Sequence, residues 1–268
     1  PIVLIDRYGV DALRYYLLRE VPFGHDGVFT PESFIDRINH DLANDLGNLV
    51  NRTVAMVVKY FQGIIPAYSG SVTPFDDDLR AAVEATRGKV ETAFDKMEFS
   101  VALASIWQLI GRANKYIDET EPWILAKQED DKDKLAAVMV HLAEAIRQAA
   151  VMLKPFLTET PEKILEQLGV PEESDSTWDS LTTFADRVSG KRVAKRDPIF
   201  PRLDVKEEVS YIVAQTGGVM NGDEATEEKR TADEITINDF EKVELKVAEV
   251  IACEPVKKTD KLLKLQLD

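Results

Sequence analysis

Residues 41–52, Asp41-Leu42-Ala43-Asn44-Asp45-Leu46-Gly47-Asn48-Leu49-Val50-Asn51-Arg52, decide how the rest of the chain is read. Apolar side chains recur here at three- and four-residue steps, which is the period of one helix face. Followed outward, the pattern predicts a long helix from Glu32 to Gln62. Phe34, Ile38, Leu42, Leu46, Leu49, Thr53, Val57 and Phe61 form one stripe. Thr30 is a good N-cap with Pro31 at the first helical position, and Gly63 and Pro66 stop the run. At about 100° per residue, Arg37, Asp41, Asn44, Asp45, Asn48, Asn51, Arg52 and Lys59 fall on the opposite side. Asn44, Asn48 and Arg52 make a row at i, i+4, i+8. Two amides and a guanidinium in a row can donate to and accept from the edges of unstacked bases. A polar helix face is also what solvent alone would select, so both readings stand at this point.

The flanks repeat the helical theme. Residues 6–20 read as a helix on Val10, Leu13, Tyr16 and Leu17, ended by Pro22 and Gly24. Further helices are predicted over Phe75–Lys96, Ser100–Glu119, Asp133–Lys154 and Pro161–Leu168, punctuated by Pro122, Pro155 and Gly169. Pro122 would hold Trp123 at a helix junction, where an indole can either stack on a base or fill the core. Residues 171–204 are loop-rich and carry Trp178 and a basic group, Lys191, Arg192, Lys195 and Arg196. Residues 205–234 read as an acidic disordered linker, because 215–234 has almost no large apolar group. From 235 to 268 the pattern switches to period two on Val243, Leu245, Val247, Leu263, Leu265 and Leu267, the mark of β-strands.

Composition limits the function classes. Across 268 residues, 44% are hydrophobic, so a core can form. No apolar run approaches the roughly 18–20 residues of a membrane span. A lone cysteine, Cys253, excludes a disulfide framework or a cysteine zinc site within the chain. The histidines, His25, His40 and His141, have no metal spacing and read as structural, and no Gly-rich phosphate loop is present. A formal charge of −15 argues against blanket binding of nucleic acid, so any RNA role must rest on particular residues.

Two motifs carry a resemblance. Asp41 to Arg52, together with Ala113-Asn114-Lys115-Tyr116-Ile117-Asp118-Glu119-Thr120-Glu121-Pro122-Trp123, resembles the anticodon-binding domain of methionyl-tRNA synthetases. Tyr8 to Leu18, with its Asp11-Ala12-Leu13-Arg14 core, is similar to the connector that follows the catalytic domain in class I synthetases. The segment from Ile235 to Val250 is similar to the start of the tRNA-binding OB-fold domain appended to many bacterial members. The resemblance implies an all-α fold: a connector over 1–30, a helical-bundle anticodon-binding domain over 31–170, its C-terminal extension over 171–204, and after the 205–234 linker a truncated OB-fold over 235–268. It implies that Asn48 and Arg52 contact anticodon bases, that Trp123 stacks on one, and that Asn114 and Asp118 lie close by. Asn44, Lys191 and Arg192 are further tRNA contact candidates.

The implied partner is methionine tRNA with its CAU anticodon, not DNA or a membrane, in the cytoplasm. No catalytic residue or metal ligand is expected. The family's His-Ile-Gly-His and Lys-Met-Ser-Lys-Ser type signatures are absent, so ATP with magnesium, and methionine, are expected to belong to a catalytic domain outside this sequence. The chain alone is then an inactive fragment of a ligase. A homodimer would need the full C-terminal domain, an OB barrel of about five strands. Competing readings are a non-catalytic tRNA-binding protein acting in trans and a structural helical adaptor.

Overall fold

The computed structural model describes residues 1–170, 173–182, 184–185 and 187–215, and the backbone of 250–255 and 263–267. The chain divides into two compact units, Pro1–Met220 and Asn221–Asp268.

The first unit is helical. It opens with α1 (Ile2–Tyr8) and α2 (Val10–Glu20). These were expected as a single helix, but Gly9 takes φ 85 and separates them. Within α2, Tyr15 and Tyr16 enter the core and Leu17 stays exposed. Next, α3 (Pro31–Arg37) starts as expected, with the Ser33 amide donating to the Thr30 hydroxyl at 3.2 Å. It runs without a break through Ile38–Gly47 into α4 (Asn48–Phe61). The middle stretch, Ile38–Gly47, is wound as a π-helix. Gly47 permits that winding, since a Cβ there would lie 3.0 Å from the Leu42 carbonyl five residues back.

The structure corrects the expected polar face at Asp41. Asp41 is buried: its carboxylate accepts from Tyr15 Oη at 2.5 Å and from Arg37 at 2.9 Å. Arg37 also pairs with Glu20. Of the expected apolar stripe, every member but the half-buried Phe61 is buried.

The bundle is completed by α5 (Asp76–Asp95), α6 (Phe99–Thr120), the short α7 (Pro122–Leu125), α8 (Lys132–Leu153) and α9 (Thr160–Leu168). At the centre is α8, buried all round from Ala137 to Leu153. The stretch Glu129–Leu153 is long and apolar enough to cross a membrane by length and composition, contrary to the expectation that no run comes close, and 94% of its most apolar window is covered by the protein itself. A helix apolar on all sides is a core helix when other helices surround it. Its polar residues are paired. Arg147, fully buried, is bidentate to Glu144 at 2.6 and 2.9 Å and donates to Ser180 Oγ and the Asp175 carbonyl, each at 2.8 Å. This ties residues 173–182 to the core helix.

Residues 205–215, expected to begin the linker, form α10 (Val205–Gln215) packed on α3. Burial of Ile212 and a bidentate pair from Arg7 to Glu208 at 2.6 and 2.9 Å hold it. The remainder of the expected linker, 216–234, lies outside the described residues.

In the second unit, β1 (Val250–Pro255) pairs antiparallel with β2 (Leu263–Leu267), with an irregularity between Val250 and Ala252. Strands were expected in this region; the rest of the expected OB-fold, including Val243 to Val247, lies outside the described residues.

Candidate nucleic-acid interface

The junction of the π-segment with α4 and its neighbour α6 gathers most of the expected site residues. Asn114 Nδ2 donates to the Asp45 carbonyl at 3.0 Å and to Ile110 O at 3.3 Å. Four residues further along α6 and seven further along the other helix, Arg52 Nη2 lies 3.5 Å from Asp118 Oδ1. Farther on, Tyr60 and Phe61 line one small cavity with Leu125, Ala126 and Gln128. Three crossings in the same order show that α6 and α7 run alongside α4 in the same direction. Trp123 falls between the second crossing and the third, in the stretch level with Arg52 to Tyr60.

The side chains along this strip are open. Asn44 and Asn48 are exposed, and their amides have no protein partner among the described residues. Arg52 keeps 35% of its side chain exposed and is held by one long ion pair to the 69% exposed Asp118. Asn114 uses its amide nitrogen on the two carbonyls and leaves its oxygen without a protein donor among the described residues. Trp123 is 40% exposed and stands outside the hydrophobic core, so its core reading does not hold. Its position follows from Glu121, in the left-handed region at φ 42, and Pro122 in the first turn of α7. Asp45 is half-buried, and its carboxyl is pushed above the usual range by burial first and by the nearby Asp41 second, with His40 opposing.

Beneath the strip lies a support that sequence reasoning did not find. Trp107 Nε1 points to the Asp41 carbonyl at 3.4 Å, and its ring packs on Tyr15 with centroids 4.4 Å apart. Asp41 is therefore held at its carboxylate by α2 and α3 and at its carbonyl by α6. Only Asp41's neighbours in sequence were visible beforehand; its partners at 15 and 107 are not.

Lys191 and Arg192 lie elsewhere, at the far end of α4. Lys191 Nζ pairs with Asp175 at 3.2 Å. Arg192 is exposed and donates to the Gln62 carbonyl at 3.3 Å.

The Asp11-Ala12-Leu13-Arg14 core has a structural explanation. Asp11 accepts from the amides of Thr158, Glu159 and Thr160 at 2.6, 2.9 and 2.6 Å, and from the Thr158 hydroxyl at 3.0 Å. Arg14 donates to the Phe156 carbonyl at 2.7 Å. Together they clamp the corner between α8 and α9. Burial pushes the Asp11 carboxyl up, but these donors outweigh it and hold the group below its ordinary value.

Comparison with known proteins identifies the family. A family model described as the anticodon binding domain of methionyl tRNA ligase matches residues 65–219, and one for class I (M) tRNA synthetases matches residues 2–54. Methionine–tRNA ligase 1 of Bacillus cereus is 61% identical over 269 residues, covering 100% of this chain and 41% of that protein. The Bacillus subtilis methionine–tRNA ligase is 57% identical over 273 residues, with the same coverage of 100% and 41%. Among solved structures, the free form of Mycobacterium tuberculosis methionyl-tRNA synthetase superimposes with a TM-score of 0.71 at 35% identity, over 76% of this chain and 41% of that one. Its complex with methionyl-adenylate gives a TM-score of 0.70 at 36% identity, over 75% and 39%. The chain thus spans about two fifths of the length of the curated relatives it matches.

Proposed function

The chain belongs to the methionyl-tRNA synthetase family, and from that premise we propose that its helical unit reads the CAU anticodon of methionine tRNA. The observation that carries this is the open strip on α4, α6 and α7. Asn48, Asn114 and Trp123 leave donors, acceptors and an aromatic face without protein partners among the described residues, and Arg52 beside them has only one long ion pair.

In the proposed mechanism the anticodon loop arrives with its bases unstacked. Trp123 supplies a stacking face. Asn48 and Arg52 bond base edges, and Asp118 holds the Arg52 guanidinium in place until the RNA competes for it. Asn44, one step back on the helix, extends the row toward the next nucleotide. A wrong base leaves one of these groups desolvated and unpaired, which is the source of discrimination.

For the whole protein we propose the ligase reaction that its relatives' name states, attachment of methionine to tRNA. Methionyl-adenylate is bound in the Mycobacterium structure. The strip here offers amides, one guanidinium and an indole rather than a phosphate cradle for an adenylate. We read residues 235–268 as the opening of the appended tRNA-binding OB-fold domain; the antiparallel β1–β2 pair supports β-structure there.

The test is direct binding of this chain to anticodon stem-loop RNAs. A CAU loop is expected to bind more tightly than loops with one anticodon base changed. Equal affinity for all loops would remove the reading function.

A further inference from the structure

A protein of charge −15 must still accommodate the phosphates of any RNA whose bases it reads. Several cations of the helical unit are already neutralised. Arg52 pairs with Asp118, Arg112 with Asp78 and Glu119, Lys115 with Glu119, Lys191 with Asp175, and Arg196 with Glu166. Lys59, Lys127, Arg192 and Lys195 are exposed cations with no carboxylate partner among the described residues, and of these Lys59 and Arg192 both bear on one helix end.

Both sit at the C-terminal end of α4. Lys59 is seven residues past Arg52, which returns to nearly the same face about 10 Å along the helix. Its ammonium rests 5.1 Å from the centroid of the Tyr60 ring. Arg192 caps the Gln62 carbonyl, three residues on, at 3.3 Å. That bond covers one of the acceptors a helix leaves open at its C-terminus, where an anion would otherwise be repelled. The backbone of Arg192 is fixed from two sides. It forms a β-bridge with Ile64, and its carbonyl lies where only glycine fits, since a Cβ on Gly169 would come within 2.2 Å of it. The cation is therefore presented from a rigid base, in contrast to a free surface side chain.

We propose that Lys59 and Arg192 form a phosphate-binding pair for the RNA whose bases are read further back on α4. The helix then has two functions along its length, base edges at Asn48 and Arg52 and sugar–phosphate backbone at its far end. This rests on the anticodon reading proposed above, and adds a contact that carries no sequence information.

The test is the salt dependence of binding between this chain and anticodon stem-loop RNAs. Each phosphate contact contributes about 0.7–0.9 to the slope of log affinity against log salt. Lys59→Gln with Arg192→Gln is expected to lower the slope by about 1.4–1.8 on that scale, and to weaken CAU and altered loops by the same factor. Lys59→Gln alone, which leaves the Gln62 cap intact, is expected to lose about half of that, and Lys59→Arg to restore it. Lys89→Gln, an exposed lysine on α5, is the control and should leave the slope unchanged. The proposal is overturned if the double variant keeps the unmodified slope, if its loss is confined to the CAU loop, or if Lys89→Gln loses as much. An unmodified chain with no preference for CAU would instead overturn the reading function itself, so the two failures are distinguishable.

Discussion

The corner clamped by Asp11 and Arg14 and the strip carrying Asn48 and Arg52 use the same chemistry in opposite ways. Each sets an Asx side chain and an arginine about one helical turn apart. At the corner every group is satisfied: Asp11 accepts four bonds and Arg14 covers the carbonyls of Phe156 and Pro155. On the strip Asn48 has no protein partner among the described residues and Arg52 has one at 3.5 Å. Satisfied polar groups specify how the chain folds; unsatisfied ones, held on a rigid base, remain available to a ligand. Residue type does not separate the two regions, whereas bonding state does.

Substitution should divide along that line. The largest effect is expected at the most saturated group. Glu144→Ala leaves Arg147 charged and fully buried without its partner, at a cost of about 3–5 kcal/mol in denaturant unfolding. If the midpoint moved by no more than a surface substitution does, saturation would not be what marks the structural set.

Asp11→Asn comes next. It keeps the shape but loses the charge that holds the α8–α9 corner, costing about 1–3 kcal/mol near neutral pH. The pH dependence has a definite sign. The Asp11 and Asp76 carboxyls are both held below their ordinary value; at each, burial works upward and hydrogen bonds prevail, from Thr160, Thr158 and Glu159 at Asp11 and from Thr73, Tyr116 and Val72 at Asp76. Their stabilisation is complete above the unfolded-state value of about 3.9 and is lost as pH falls below it through the folded value. Melting temperature measured from pH 6 downward, on the order of four pH units, should therefore drop less steeply at its acid end in Asp11→Asn than in the unmodified chain.

The contrast also explains what the amino-acid order revealed. The stripe from Phe34 to Val57, the N-cap at Thr30 and the stops at Gly63 and Gly169 are local signals, and they set most helix ends within a residue or two. Three features were not local. The π-winding of Ile38–Gly47 has no signal in a wheel drawn at the α-helical period, and Asp41 was assigned to the polar face because its partner Tyr15 lies on another helix. The clamp at Asp11 depends on partners 147 to 149 residues away. Helix α10 is held by Ile212 in the core and by Glu208 reaching Arg7, a pairing that acidic composition disguises as linker. The candidate residues were named through family motifs, but their exposure and bonding state required the fold.

Trp123 tests the other side of the comparison. Trp123→Ala should weaken binding to a CAU stem-loop by about 1–3 kcal/mol, the worth of one base–aromatic stack. Its unfolding free energy should move by less than about 0.5 kcal/mol, as expected for a side chain outside the core. A stability loss as large as that of Asp11→Asn would move Trp123 into the structural set.

The finest test is Asp118→Asn. The Arg52–Asp118 pair is long and Asp118 is 69% exposed, so its loss should alter stability by less than about 1 kcal/mol. Binding should respond differently. Removing the carboxylate takes a negative charge away from incoming RNA and frees the guanidinium to swing. Affinity for mismatched loops is then expected to rise more than affinity for CAU, because a mobile arginine satisfies several base edges where a fixed one satisfies few. The ratio of the two affinities, measured at one salt concentration, should fall. A ratio that stayed constant while both affinities rose would mean that Asp118 acts on the RNA by charge alone, and that Arg52 is aimed by α4 and the π-segment behind it.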